Sequence, residues 1–236
     1  MNQRINDSDP IDSVIDSLSL YIHFPWCIQK CPYCDFNSQP KTSAIDENSY
    51  LQALIDDLKS NIEQFKIERP LSSIFFGGGT PSLISVNGLA WLLEGISQQI
   101  TISQHAEITL EANPGTFTAD TPSKWRSAGI NRVSLGVQSF SDNHLRRLGR
   151  IHSSQQAKSA IEWCQNIFDR INIDLMFGLP DQTCDDISDD IATLLSFDCG
   201  HASWYQLTIE PDTLFGENPP ELPGEEIIEA ISTQIT

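Results

Sequence analysis

The sequence predicts an α/β protein built as a partial (β/α)6 barrel. Three observations predict it. Six β-prone runs alternate with helical stretches across the 236 residues, at spacings suited to βαβ units and a parallel sheet. Such units cross over right-handedly, so six in succession curl toward a barrel. Glycines and polar side chains stand at the carboxyl ends of these runs, where barrel active sites are built. A doubly wound open sheet is the competing architecture, and periodicity alone does not exclude it.

The elements follow in order. Leu18 to Phe24 (LSLYIHF) is a β-rich run. Ser43 to Phe65 reads as a helix, because Tyr50, Leu51, Leu54, Ile55, Leu58, Ile62 and Phe65 recur near three and four. Leu71 to Phe76 is the second strand, stopped by Gly77, Gly78 and Gly79, and Val86 to Ile100 the next helix. Glu107 to Ala112 alternates as a third strand and ends at Asn113-Pro114-Gly115, a turn signal. A short helix opens near Thr121, with Pro122 suited to its first turn. Arg132 to Gln138 is the fourth strand, followed by helical pieces near Asp142–Leu148 and Ser154–Phe168. Arg170 to Phe177 is the fifth strand, Cys184 to Leu195 a helix and Ala202 to Ile209 the sixth strand. Residues 1–17 read as a flexible acidic leader and 18–210 as the core. From Pro211 the chain turns proline-rich and acidic, and 211–236 reads as the start of a C-terminal region cut short, ending in the opening of a helix.

Cys27, Cys31 and Cys34 stand in the spacing C-x3-C-x2-C within one short segment. Three thiolates this close fit a loop wrapped around something with its sulfurs inward. Such soft ligands select zinc, copper(I) or iron–sulfur clusters. A closed zinc site wants four protein ligands, and no second C-x2-C pair exists. Three suit a cubane 4Fe–4S cluster with one iron left open, although four cysteines are commoner. Cys164, Cys184 and Cys199 are scattered singly and read as ordinary thiols.

Net charge is -18, from 32 acidic against 14 basic residues. No run of lysines or arginines offers a phosphate-tracking surface, so nucleic acid is not an expected partner. No apolar stretch reaches membrane-spanning length, and the N-terminus lacks the regions of a signal peptide. Reduced thiolates point to a reducing compartment, and the cytoplasm is the expected address.

Four strand ends carry polar chemistry. Gly77-Gly78-Gly79-Thr80-Pro81 lets a backbone approach a ligand closely. Glu111, in LEANPG, is a carboxylate able to accept from hydroxyls or an ammonium, or a solvated strand-end acid. Gln138 offers a donor and an acceptor. Asp174 interrupts the apolar run INIDLMF, facing either the barrel mouth or a buried partner. Beyond the fourth strand, Arg150 offers a fork for a carboxylate.

YIHFPWCIQKCPYCDF, FFGGGTPS, LEANPG, RVSLGVQSF, LGRIH and INIDLMFGLP together resemble the radical S-adenosylmethionine (SAM) family, and within it the HemN/HemW family. The resemblance implies a 4Fe–4S cluster held by Cys27, Cys31 and Cys34. Its open iron binds the methionine end of SAM, whose reductive cleavage leaves a 5′-deoxyadenosyl radical. Tyr21, Gly78, Gly79, Thr80, Glu111, Gln138, Arg150 and Asp174 are implied to lie along SAM, with Tyr33 and Thr208 beside them. Oxygen-independent coproporphyrinogen III oxidases resemble C-x3-C-x2-C-x-C, whereas this chain has Phe36 at the last position. That form resembles the HemW branch of haem chaperones. The resemblance therefore implies haem or a porphyrin as ligand, with a haem-acceptor protein and an electron donor as partners. The oxidase is the first alternative and a metal-stabilised interaction module the second. The family carries a further C-terminal region with a histidine-containing haem motif, so none of His23, His105, His144, His152 and His201 is assigned as a haem ligand.

Overall fold

A computed structural model describes residues 17–42, 45–197 and 199–235, so the expected leader lies, except for Ser17, outside the described residues. Six strands form one sheet: β1 (Leu18–Phe24), β2 (Leu71–Gly78), β3 (Ile102–Ala112), β4 (Arg132–Gln138), β5 (Ile171–Phe177) and β6 (Ala202–Gln206). All neighbours pair in parallel, in the order β1-β2-β3-β4-β5-β6. A doubly wound sheet reverses its strand order part-way; this one does not. Among the described residues β1 and β6 do not pair, and the sheet is a half-barrel.

The helices between strands are α1 (Glu47–Phe65), α2 (Val86–Gln99), α3 (Thr121–Ala128), α4 (Asp142–Arg147), α5 (Ser154–Gln165) and α6 (Cys184–Leu195). After β6 come α7 (Leu214–Glu217) and α8 (Glu225–Ile235). Strand side chains alternate between faces. One set, including Ile74, Phe76, Leu110, Val133, Leu135, Ile173 and Leu175, is fully buried beneath Leu51, Leu89, Leu92, Trp125 and Ile161 of the helices. That apolar layer is the core. The other set, which includes Ser134, Asn172 and Asp174, faces the concave side, so the same alternation that makes the core also delivers the site.

Boundaries differ from the periodicity at several ends, by one or two residues at β2, β5, α2 and α4 and by more at four others. α1 starts at Glu47 because the Asp46 side chain accepts from Ser49 N and takes the cap position. β3 begins five residues early, at Ile102, where pairing with β2 shifts register around Leu71 and Ser73. α5 ends at Gln165, where Asn166 takes over the last carbonyls. β6 ends at Gln206 rather than Ile209: Leu207 N still reaches Phe177 O at 2.8 Å, and the chain then turns at Glu210–Thr213. Thr208 therefore lies in irregular chain above the strand.

A smaller apolar cluster sits at the mouth. Leu148, Met176, Leu179 and Leu207 are buried there, with Tyr33, Phe215 and Leu222 packed on them.

Candidate functional site

The loop between β1 and α1 is closed at its neck. Trp26–Cys27 pairs in parallel with Gln39–Pro40, and Gln39 N and Lys41 N donate to Pro25 O and Cys27 O, both at 2.8 Å. Inside it, Cys34 N reaches Cys31 O at 3.1 Å. Lys30 Nζ donates to Phe36 O and Ser38 O at 3.1 and 3.0 Å. These bonds use backbone carbonyls that a loop otherwise leaves to water. Beyond the loop, Phe215 N donates to Pro32 O at 2.9 Å, and Gln29 Nε2 to Gly149 O at 3.2 Å. Gly149 has φ +66, and a Cβ there would lie 2.8 Å from Pro32 Cδ. Glycine is required by conformation and by proximity at once.

The loop forms one wall of a cavity of about 520 Å³. Cys27, Cys31, Cys34 and Tyr33 line it from the loop; Gly78, Gly79, Thr80, Glu111, Gln138, Arg150 and Asp174 line it from strand ends and connections. Thr208 joins them from the irregular chain above β6. Arg150 bridges the two walls, donating from Nη1 to Cys31 Sγ at 3.5 Å and from Nη2 to Gly136 O at 2.6 Å. His152, packed behind it, contacts Val137 O and Asn113 Oδ1 at 3.1 and 3.0 Å. Burial, and then the Arg150 charge, push the His152 pKa down to about 4, so its ring is neutral.

Two carboxylates share the cavity. Glu111 Oε2 accepts from Gly78 N at 3.3 Å. Burial first, then the charge of Asp174, push its pKa up to about 7. Asp174 accepts from Ser134 Oγ at 2.9 Å and Asn172 Nδ2 at 2.6 Å. Burial raises its pKa as well, while these hydrogen bonds and the Arg132 charge pull it back. Gln138 stands at a break in β4–β5 register with φ 73, a left-handed conformation unusual for a side chain of that size. The bulge turns its amide into the cavity, where Oε1 accepts from Tyr205 Oη at 2.7 Å.

Two expectations change. Tyr21 does not line the cavity. It is 56% exposed on the concave face of β1, stacked on Phe75, with its hydroxyl 3.1 Å from His23 Nδ1. His23 Nε2 in turn donates to Asn37 O at 2.8 Å, so Tyr21 reaches the cysteine loop only through His23. The glycine run is also mainly internal. The N–H groups of Gly78, Gly79 and Thr80 go to Glu111 Oε2, Phe24 O and Trp26 O. A Cβ on Gly79 would lie 2.7 Å from Trp26 O and 2.9 Å from Pro25 C. What comes close to Gly79 is the protein's own chain, and only carbonyl oxygens of this run remain to face a ligand.

Sequence reading passed over Asn113, Ser134, Met176 and Tyr205, which also line the cavity. The signal for Ser134 and Tyr205 was present, as polar positions of alternating strands. None of the five histidines lines it.

The radical SAM superfamily profile matches residues 21–194. The chain belongs to the radical SAM superfamily. Among curated radical SAM relatives, the heme chaperone HemW of Haemophilus influenzae is 50% identical over 215 residues, covering 89% of this chain and 56% of the relative. The Escherichia coli heme chaperone HemW is 48% identical over 212 residues, with the same coverage of 89% and 56%. A solved radical SAM structure, coproporphyrinogen III oxidase (HemN) from Escherichia coli, superposes with a TM-score of 0.84 at 25% identity, covering 93% of this chain and 51% of that one. The chain spans about half the length of the curated relatives it matches.

Radical SAM membership implies a 4Fe–4S cluster and SAM, and the residues present fit both. No three His, Cys, Asp or Glu side chains among the described residues converge as a single ion requires. The three thiols line one cavity from a shared loop and are the soft ligands an iron–sulfur cluster takes. Arg150 Nε is buried with no partner, an unmet donor in the cavity wall that a carboxylate ligand would satisfy. The raised carboxyls opposite would regain their charge beside a cation.

Proposed function

We propose that this chain is the cofactor-binding half of a HemW-type radical SAM protein that handles haem in the cytoplasm. Cys27, Cys31 and Cys34 would hold the cluster, Arg150 the SAM carboxylate, Glu111 its ammonium, and Gln138 and Asp174 its ribose hydroxyls, with Gly78, Gly79, Thr80, Tyr33 and Thr208 alongside. When bound, the cluster supplies one electron toward the SAM sulfonium. The chain's own part is to bind and orient: Arg150 spans from Cys31 to Gly136, so one guanidinium sets the distance between cluster loop and strand ends.

The observation that carries the chaperone reading is Phe36. It lines the same cavity as the three cysteines and is 57% exposed, where coproporphyrinogen oxidases resemble a pattern with a fourth cysteine. Similarity to two HemW proteins supports it further. Haem is the proposed cargo, with a haem-acceptor protein and an electron donor as partners. No helix of the described residues is long and apolar enough to cross a membrane. The oxidase is the second reading, favoured by the superposition on HemN. Anaerobic reconstitution followed by haem titration, beside incubation with SAM, reductant and coproporphyrinogen III, separates them. Haem uptake without protoporphyrinogen IX supports the chaperone; sustained turnover installs the oxidase.

A further inference from the structure

Beneath the cavity, on the concave face of β5, lies an amide that touches no lining space yet holds one of the lining carboxylates. Asn172 is 3% exposed. Its Nδ2 donates to Asp174 Oδ1 at 2.6 Å and to Ser134 Oγ at 2.8 Å. Ser134 Oγ in turn donates to Asp174 Oδ2 at 2.9 Å, so the amide holds one carboxylate oxygen directly and the other through Ser134. On the other side, Asn172 Oδ1 accepts from Ser203 Oγ at 3.1 Å and lies 2.5 Å from His201 Nδ1. The orientation is forced, because the opposite rotamer would set Oδ1 against a carboxylate oxygen. Only an amide places one donor on Asp174, a second on Ser134 and an acceptor toward Ser203 and His201. An aliphatic side chain would leave the carboxylate half-held and buried, which is costly.

We infer that Asn172 is a positioning residue, fixing the orientation and the ionised form of Asp174 so that this carboxylate receives the hydroxyls of a bound nucleoside. The inference rests on the cofactor reading above for the identity of that ligand. The charged and titratable groups around Asp174 are Glu111 from β3, Arg132 from β4, Tyr205 from β6, His201 before it and Arg150 across the mouth. Arg132 favours the charged form of Asp174 and burial opposes it. Hydrogen bonds from Asn172 and Ser134 also favour the charged form against that burial. Losing Asn172 therefore shifts Asp174 ionisation to higher pH.

The test compares wild-type, Asn172→Leu and Asn172→Ala proteins, each checked for fold by circular dichroism and for cluster content after reconstitution. The first readout is the titration of the Asp174 carboxyl followed by infrared difference spectroscopy and assigned with Asp174→Asn; it needs neither cluster nor SAM. The Asn172 variants are expected to titrate at higher pH than wild-type, and an unmoved midpoint overturns the inference. The second readout is equilibrium SAM binding. Wild-type binding tests the cofactor reading, and the ratio of variant to wild-type tests Asn172. Affinity is expected to fall about tenfold at neutral pH, the scale of one charge-assisted hydrogen bond, and to recover as pH rises. In an Asp174→Asn background the same substitution should cost nothing further. An equal, pH-independent loss in that background would show a merely structural role and overturn the inference.

Discussion

Glu111 carries opposite consequences for folding and for binding. Its carboxyl has a reference value of 4.5 and in the folded chain is pushed up to about 7. Between those values the folded state keeps a proton that the unfolded state has released. Stability therefore falls as pH rises through this window and stays lower above it. The cost is on the order of 3 kcal/mol. Glu111→Gln removes it, so the cofactor-free variant should melt several degrees higher than wild-type above pH 7 and about equally near pH 4. The same change should weaken SAM binding, and wild-type binding at neutral pH should release protons, detectable by calorimetry in buffers of different ionisation enthalpy. Gly79→Val is the contrasting case. Its side chain would collide with the Pro25–Trp26 backbone, so loss of fold and of cluster uptake is expected, by about 1–3 kcal/mol or more, measured by denaturant unfolding. Glu111, Gln138 and Asp174 were legible because a polar residue at the end of an apolar strand has few reasons to be there. The packing of Gly79 on Trp26 and of Tyr21 on His23 was not legible, because these neighbours come near only in three dimensions.

Elements bounded by local signals were read closely. β1, β4 and α6 keep their sequence-derived bounds, since alternation and periodicity decide them. β3 and β6 shifted because pairing partners, not their own residues, set where a strand begins and stops. The segment between β6 and α8 had no periodic signal. Yet its α7 binds the cysteine loop through Phe215 N to Pro32 O, with the Phe215 and Tyr33 rings 6.4 Å apart. Phe215→Ala should loosen this strap by about 1–2 kcal/mol. Local opening of the loop then becomes more frequent, and a chelator should strip the reconstituted cluster severalfold faster, while far-ultraviolet circular dichroism stays unchanged. Replacing any one of Cys27, Cys31 or Cys34 by alanine should prevent the cluster from forming, checked by iron and sulfide content.

Across the whole molecule, the sheet has two open margins and a protected middle. Val133, Leu135 and Ile173 on β4 and β5 are fully buried, whereas Tyr205 on β6 is 42% exposed. Amide hydrogen exchange should therefore be slowest in β4 and fastest in β6, and equal protection across all six strands would contradict the strand order. Phe36, not a fourth cysteine, joins the three cysteines at the cavity. No coproporphyrinogen III decarboxylation is expected of this chain in the anaerobic turnover assay. One further consequence concerns time. The neck of the cysteine loop is tied by backbone bonds between Trp26–Cys27 and Gln39–Pro40, and by Lys30, none of which involves a sulfur. The neck is thus expected to close in cluster-free protein, so that reconstitution fills a receptacle already shaped, checked by equal protection of Gln39 and Lys41 amides from hydrogen exchange before and after reconstitution.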